Sequence, residues 1–196
     1  MSRKKQYPVR IPRFAAGIRA QESRTGSGRS WWFRQWLVKL ESMGLGARLG
    51  RGKNYAVSGQ VTEMRIAGPH VEALVVGTRQ EPYRVTVDFR IPDETAHGRI
   101  VAALRAEPML IARLLADDLP TEVELLFREN GCDFFPGGKI APRVYDMTTA
   151  CTCPDYANPC KHSSAVLLLL GEEIARRPMT LLELRGITLE ELCDED

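Results

Sequence analysis

The sequence predicts an α+β protein: a small antiparallel β-meander joined to several helices, with a C-terminal unit built around cysteine and histidine. Three observations predict it. Between Tyr55 and Phe89 three apolar segments are separated by short turns. Residues 94–130 repeat apolar positions at helical spacing, with prolines where helices start. Near the C-terminus stand Cys151-Thr152-Cys153 and, six residues later, Cys160-Lys161-His162.

The elements follow in order. Residues 1–29 are rich in Arg, Ser, Gly and Pro without an apolar period, and read as a basic, disordered arm. Ser30 is placed to cap a helix from Trp31 to Met43, in which Trp32, Trp36, Leu40 and Met43 recur at helical spacing. That stripe has two readings, a docking face for the protein's own core or, with Arg34 and Lys39, a base-stacking platform. Packing is the commoner use of such a stripe. Gly44 to Gly52 resembles a phosphate loop but lacks its Gly-Lys-Ser/Thr ending and a preceding strand, so it reads as a flexible basic connection.

Strands are expected at about Tyr55–Ile66, Val71–Thr78 and Pro82–Phe89. The last alternates Tyr83, Val85, Val87 and Phe89 against Arg84, Thr86, Asp88 and Arg90. Helices follow at Glu94–Ala106, Pro108–Asp117 and Pro120–Glu129, stopped by Asn130-Gly131. Val144–Thr149 forms a strand before the cysteines, and a helix opens at His162 and runs to about Ala175. The run Ala165–Leu170 is apolar nearly all round, so that helix is expected to be buried on more than one face. Short helices around Thr180–Leu184 and Leu189–Leu192 end the chain. The segments divide as 1–29, the basic arm; 30–93, helix plus meander; 94–135, helical; and 136–196, the metal unit with C-terminal helices.

Cys151, Cys153, Cys160 and His162 carry the chemistry. Three thiolates and one imidazole complete a tetrahedral zinc shell, and soft thiolates favour zinc or an iron–sulfur cluster over calcium or magnesium. Each x-spaced pair returns to one face of an extended strand, and Pro154 to Pro159 is a turn-forming link that lets the pairs meet. A disulfide or a redox pair fits less well: the redox spacing is Cys-x-x-Cys, and His162 would be unexplained. Four protein ligands leave no open position for water or substrate, so one structural zinc is expected and a hydrolase is not. The second ring nitrogen of His162 is expected to donate to a carbonyl or carboxylate. Cys132 reads as an ordinary buried residue, Cys193 as part of a tail, and His70 and His97 as surface residues without chemistry.

With its short loop and following apolar helix, the stretch Cys151-Thr152-Cys153-Pro154-Asp155-Tyr156-Ala157-Asn158-Pro159-Cys160-Lys161-His162 resembles the SWIM zinc-finger family, bacterial type. Two further stretches share the resemblance, Gly50-Arg51-Gly52-Lys53-Asn54-Tyr55 and Pro82-Tyr83-Arg84-Val85, so that it covers most of residues 44–192. The resemblance implies a strand–strand–helix zinc module that binds DNA or protein. It also implies a companion role beside a helicase-like Swi/Snf-type ATPase.

Charge adds a separate argument. Residues 1–55 hold thirteen Lys or Arg against two acids, about +11, and the remainder carries about −9. Such a division suits an arm that contacts nucleic acid, through Arg13, Arg19, Arg24, Arg29, Arg48, Arg51 and Lys53, attached to an acidic body. It equally suits an arm that grips an acidic protein partner or the chain's own acidic half. Removing residues 1–29 is expected to leave the zinc module folded. The longest apolar run has six residues, which excludes a membrane-spanning helix, and the absence of a signal peptide points to a cytoplasmic protein with reduced thiols. The sequence thus predicts a non-enzymatic zinc-binding protein that holds nucleic acid, a protein partner, or both.

Overall fold

A computed structural model describes residues 11–21, 30–137, 139–141 and 144–193. Its sheet is antiparallel, in the order β1 (Val61–Ala67), β2 (His70–Val75), β3 (Tyr83–Phe89), β6 (Met147–Cys151). Alternation in β3 is as the sequence predicts, with Tyr83, Val85, Val87 and Phe89 buried and Arg84 and Asp88 exposed. The strand that bears Cys151 is therefore the fourth strand of the meander's own sheet, with Val85 opposite Cys151 and Phe89 opposite Met147. Two short strands, β4 (Lys139–Ala141) and β5 (Val144–Tyr145), pair separately.

One face of this sheet is covered by α6 (Lys161–Arg176), whose buried residues include Ala165, Val166, Leu167, Leu169, Leu170 and Ile174. Burial on several sides is what an all-round apolar helix requires. Against α6 lie α1 (Trp31–Ser42) and α2 (Ala47–Val57). Ser30 caps α1 as expected, its Oγ accepting from the Phe33 amide. The helices α3 (Glu94–Arg105), α4 (Pro108–Leu115) and α5 (Thr121–Glu129) fall within a residue or two of their expected bounds. They are followed after the finger by α7 (Met179–Leu184) and α8 (Leu189–Cys193).

The tryptophan stripe packs inward, which overturns the base-stacking reading. Nε1 of Trp31, Trp32 and Trp36 donates to the carbonyls of Leu119, Ile174 and Leu167 at 2.9, 3.1 and 2.9 Å. Trp36 is fully buried, and its ring lies where a Cβ on Gly171 would stand, 2.5 Å away.

The largest departure from the sequence reading is α2. Residues expected to be a flexible connection and the start of a strand form a helix, and β1 begins only at Val61. Glycine weakens an isolated helix by about 1 kcal/mol, but here packing overrides propensity. A Cβ on Gly52 would fall 2.5 Å from Cβ of Ser164 and 3.0 Å from the Ala165 nitrogen, so α2 approaches α6 as closely as only glycine allows. Gly50, two residues earlier and so turned well away from that face, has nothing within 4 Å of its would-be Cβ. Gly52→Ala is accordingly expected to lower stability by about 1–3 kcal/mol through overpacking. Gly50→Ala should raise it by up to about 1 kcal/mol through helix propensity. Urea midpoints of the two variants check this contrast, and equal shifts would contradict the packing account.

Residues 11–21 also differ from the free arm expected. They run in extended form along the body, with the Ile18 amide donating to the Val61 carbonyl at 2.7 Å, Gly17 to Gly59 at 2.9 Å and Ala20 to Ala56 at 3.0 Å. Ala15 and Ala20 are buried. The segment thus contributes contacts to the body, at Val61 where β1 starts and at Ala56 and Gly59 just before it.

Candidate metal centre

The four predicted ligands arise from two elements. Cys151 ends β6, Cys153 follows it, and Cys160 occupies the N-cap of α6 two residues before His162. The link between them is held by Asn158, whose amide donates to the Thr149 carbonyl while its Oδ1 accepts from the Thr149 hydroxyl. Asn158 thereby folds the loop back against β6. One ligand atom from each of Cys151, Cys153, Cys160 and His162 lies within 4.8 Å of all the others. Nδ1 of His162 stands 3.8 Å from the Cys151 sulfur and 3.7 Å from that of Cys160, and the Cys153 and Cys160 sulfurs are 3.6 Å apart. Cys160 and His162 are almost fully buried, and Cys151 is half-buried.

The surroundings fit thiolates and a cation. Backbone amides of Cys153, Asp155 and Ser163 donate to the sulfurs of Cys151, Cys153 and Cys160 respectively, each favouring the charged sulfur. Cys160 is held far below its ordinary thiol range, chiefly by the hydrogen bond from Cys151, and it also stands at the positive end of a 16-residue helix. That same hydrogen bond pushes Cys151 up, and burial pushes Cys153 up. Three sulfurs so close together, two of them on buried residues, cannot all be thiolates without a compensating positive charge. A divalent ion supplies it.

The family model of the SWIM zinc finger matches residues 143–171, the span that contains all four clustered residues. Residues 143–171 are a SWIM zinc finger. Its cofactor is one zinc ion, and the closed donor set makes that ion structural. The chain is also 34% identical over 185 residues to Rv2102, an uncharacterized protein of Mycobacterium tuberculosis; the match takes in 94% of the chain and 65% of the relative. The chain thus spans a little under two thirds of that relative's length. No solved structure matches it significantly.

In the SWIM finger the second nitrogen of His162 differs from expectation. Nε2 is buried and has no hydrogen-bond partner among the described residues. In place of a carbonyl or carboxylate, aromatic rings flank the imidazole: Tyr83 at 4.6 Å between centroids and Tyr55, edge-on, at 5.1 Å. Gly77 completes the wall, for a Cβ there would lie 2.3 Å from the Tyr83 ring and 3.4 Å from Nε2. Packing, in place of an acceptor, orients the ring. Tyr55 and Tyr83 belong to the two upstream stretches that resembled the family, and the finger explains why those stretches accompany it. Burial, with Tyr83 and the nearby sulfurs, raises the Tyr55 phenol above its usual value.

The other candidates are dispersed. Arg13 and Arg19 are exposed on the segment along β1, with Arg13 Nη1 donating to the Gln80 carbonyl at 2.6 Å. Arg51 and Lys53 are exposed on α2, whereas Arg48 is half-buried with its Nε lacking a partner among the described residues. Arg24 and Arg29 lie outside the described residues. His70 is paired with Asp88 at 2.6 Å, which pushes its pKa up, and His97 with Glu191 at 2.8 Å. His97 is thus tied to α8. Cys132 is half-buried, and burial raises its pKa; Cys193 is exposed. Among the described residues no helix is long and apolar enough to cross a membrane.

Sequence reasoning missed Arg185, which is completely buried on the link after α7. Its guanidinium donates to both oxygens of Asp146 at 2.8 and 2.7 Å, and to the carbonyls of Phe134, Arg90 and Asp133. Asp146 is the residue between β5 and β6, so this ion pair fixes the entry to the finger from the C-terminal helices. Nothing in the local pattern of Leu184-Arg185-Gly186 distinguishes a buried arginine from a surface one.

Proposed function

We propose that the protein is a non-enzymatic, zinc-stabilised binding protein of the cytoplasm, in which Cys151, Cys153, Cys160 and His162 hold the ion and the basic N-terminal surface contacts nucleic acid. The observation that carries this reading is the charge division, about +11 on residues 1–55, together with the exposure of Arg13, Arg19, Arg51 and Lys53. These cations have no carboxylate partner among the described residues and are free to neutralise phosphates. The zinc shell is closed, so the finger's part is to hold β6, α6 and α2 in register beneath that surface.

Salt dependence tests it. Each phosphate neutralised on duplex DNA contributes about −0.9 to the slope of log affinity against log salt, and engaging half of the seven basic candidates gives roughly −3. Little preference for base sequence is expected, because phosphate contacts position without specifying. Converting Arg13, Arg19, Arg51 and Lys53 together to glutamine should make the slope markedly shallower while leaving the fold intact, since all four are exposed. Full-length protein that showed no salt-sensitive binding to duplex or single strands would overturn the nucleic-acid reading.

A second reading has its own support. Phe14 and Ile11 are 89% and 80% exposed beside the basic surface, and Tyr156 at the finger's tip is 99% exposed. Apolar side chains so placed suit a protein partner. The family resemblance implies a helicase-like Swi/Snf-type ATPase as the candidate partner. Co-purification that survives high salt, with no binding to nucleic acid, would favour this second reading.

A further inference from the structure

A cleft of about 470 Å³ opens near the end of β3 away from the zinc ligands, where Arg90 follows the strand, Arg99 projects from α3 and Arg128 from α5. Seven strand residues at about 3.3 Å each put Arg90 roughly 20 Å from the end of β3 that packs on His162. Like charges repel, so three guanidiniums gathered from three separate elements around one opening call for an explanation.

The acids that line the cleft do not supply it. Asp146 has both oxygens on the buried Arg185. Asp93 accepts from the Ala96 amide at 2.9 Å as the N-cap of α3. Asp133 lies 3.8 Å from Lys39. Arg99 uses only Nε, on Oδ1 of Asn130, which leaves its terminal nitrogens available. The side chains of Arg90 and Arg128 have no partner among the described residues. With the Arg185–Asp146 and Lys39–Asp133 pairs set aside, Arg90, Arg99 and Arg128 face one carboxylate, and the cleft keeps an excess of positive charge.

Shape narrows the ligand. Ile91, Pro92 and Ala96 give the cleft an apolar wall beside its cations. Its volume falls in the range of small-molecule sites, larger than a lone oxoanion needs. Guanidinium forks match the oxygens of phosphate bidentately. We propose that this cleft binds a small phosphate-bearing molecule, with Arg90, Arg99 and Arg128 converging on the phosphate and the Ile91–Pro92 wall against the remainder of the ligand.

The site stands apart from the basic N-terminal surface, so it is testable separately from the nucleic-acid reading. Inorganic pyrophosphate is the probe, titrated calorimetrically into the full-length zinc-loaded protein at constant ionic strength. Saturable binding is expected, weakened about tenfold or more in Arg128→Gln and in Arg90→Gln, and unchanged when Arg13, Arg19, Arg51 and Lys53 are replaced by glutamine. Both cleft arginines are exposed, so the variants should fold as the parent does, which their unfolding midpoints will show. A 5′-phosphorylated oligonucleotide forms the second arm. If it competes with pyrophosphate, the phosphate comes from a nucleic-acid end; if it does not, the ligand is a free small molecule. Absence of saturable binding at millimolar pyrophosphate, or equal affinity in the parent and the two cleft variants, would overturn the proposal.

Discussion

Cys153→Ser is expected to unfold the protein, not merely to loosen its finger. Structural zinc contributes on the order of 10–16 kcal/mol in finger peptides, against roughly 5–15 kcal/mol of net stability for a whole domain. Were the finger a self-contained unit, the damage would be confined to residues 144–175. In the structure, however, β6 is a strand of the main sheet, and α6 packs on that sheet, on α1 and on α2. Losing the anchor at Cys160 and His162 exposes Leu167, Leu170 and Ile174, all fully buried, and aggregation should follow. Cys193→Ser, at an exposed position, serves as the control and should leave the unfolding midpoint unchanged. Chelation of the metal from the unaltered protein should reproduce the Cys153→Ser behaviour and release one equivalent of zinc. Equal thermal midpoints for the two serine variants would refute the ligand assignment.

The second large effect is expected at Arg185. Truncation to alanine strands the Asp146 carboxylate, only 7% exposed, and the buried Phe134 carbonyl, and removes the donor from the part-buried carbonyls of Arg90 and Asp133. Removing one partner of a buried pair typically costs about 3–5 kcal/mol, a large share of any domain's stability. Arg185→Lys should recover little of this, because an ammonium cannot reproduce the bidentate fork on Asp146. Denaturant unfolding of the two variants measures the difference, and a loss below about 1 kcal/mol in Arg185→Ala would show the network to be dispensable. Since Asp146 precedes β6, the damage should extend to the metal: zinc ought to exchange faster in Arg185→Ala than in the parent protein.

These two effects differ in how far the sequence announces them. The zinc cluster was legible because its signal is local: four ligand side chains within twelve residues, at spacings that force them together whatever surrounds them. The meander strand β3 and the helices α1 and α3–α6 were legible for a similar reason, as period-two and period-3.6 patterns reflect which face is buried. Prolines and glycines at their ends set the bounds to within a residue or two.

What the tertiary structure alone decided has a common cause. α2 is helical because Gly52 must lie against Ser164, more than a hundred residues away, and no window around Gly44–Gly52 contains that partner. Residues 11–21 are held by backbone bonds to Ala56, Gly59, Val61 and Gly77, not by any pattern of their own. The tryptophans of α1 face inward because the carbonyls of Leu119, Leu167 and Ile174 are there to receive their N–H groups. Arg185 is buried because Asp146 and three carbonyls converge on it, and the imidazole of His162 is set by Tyr55 and Tyr83. Sequence by itself determined the fold class, most elements and the metal chemistry, since each is encoded within a dozen residues. Close helix approach, buried charge pairing and the choice between a free and a docked segment are interactions between distant parts of the chain, and their energies exist only once the fold has brought those parts together.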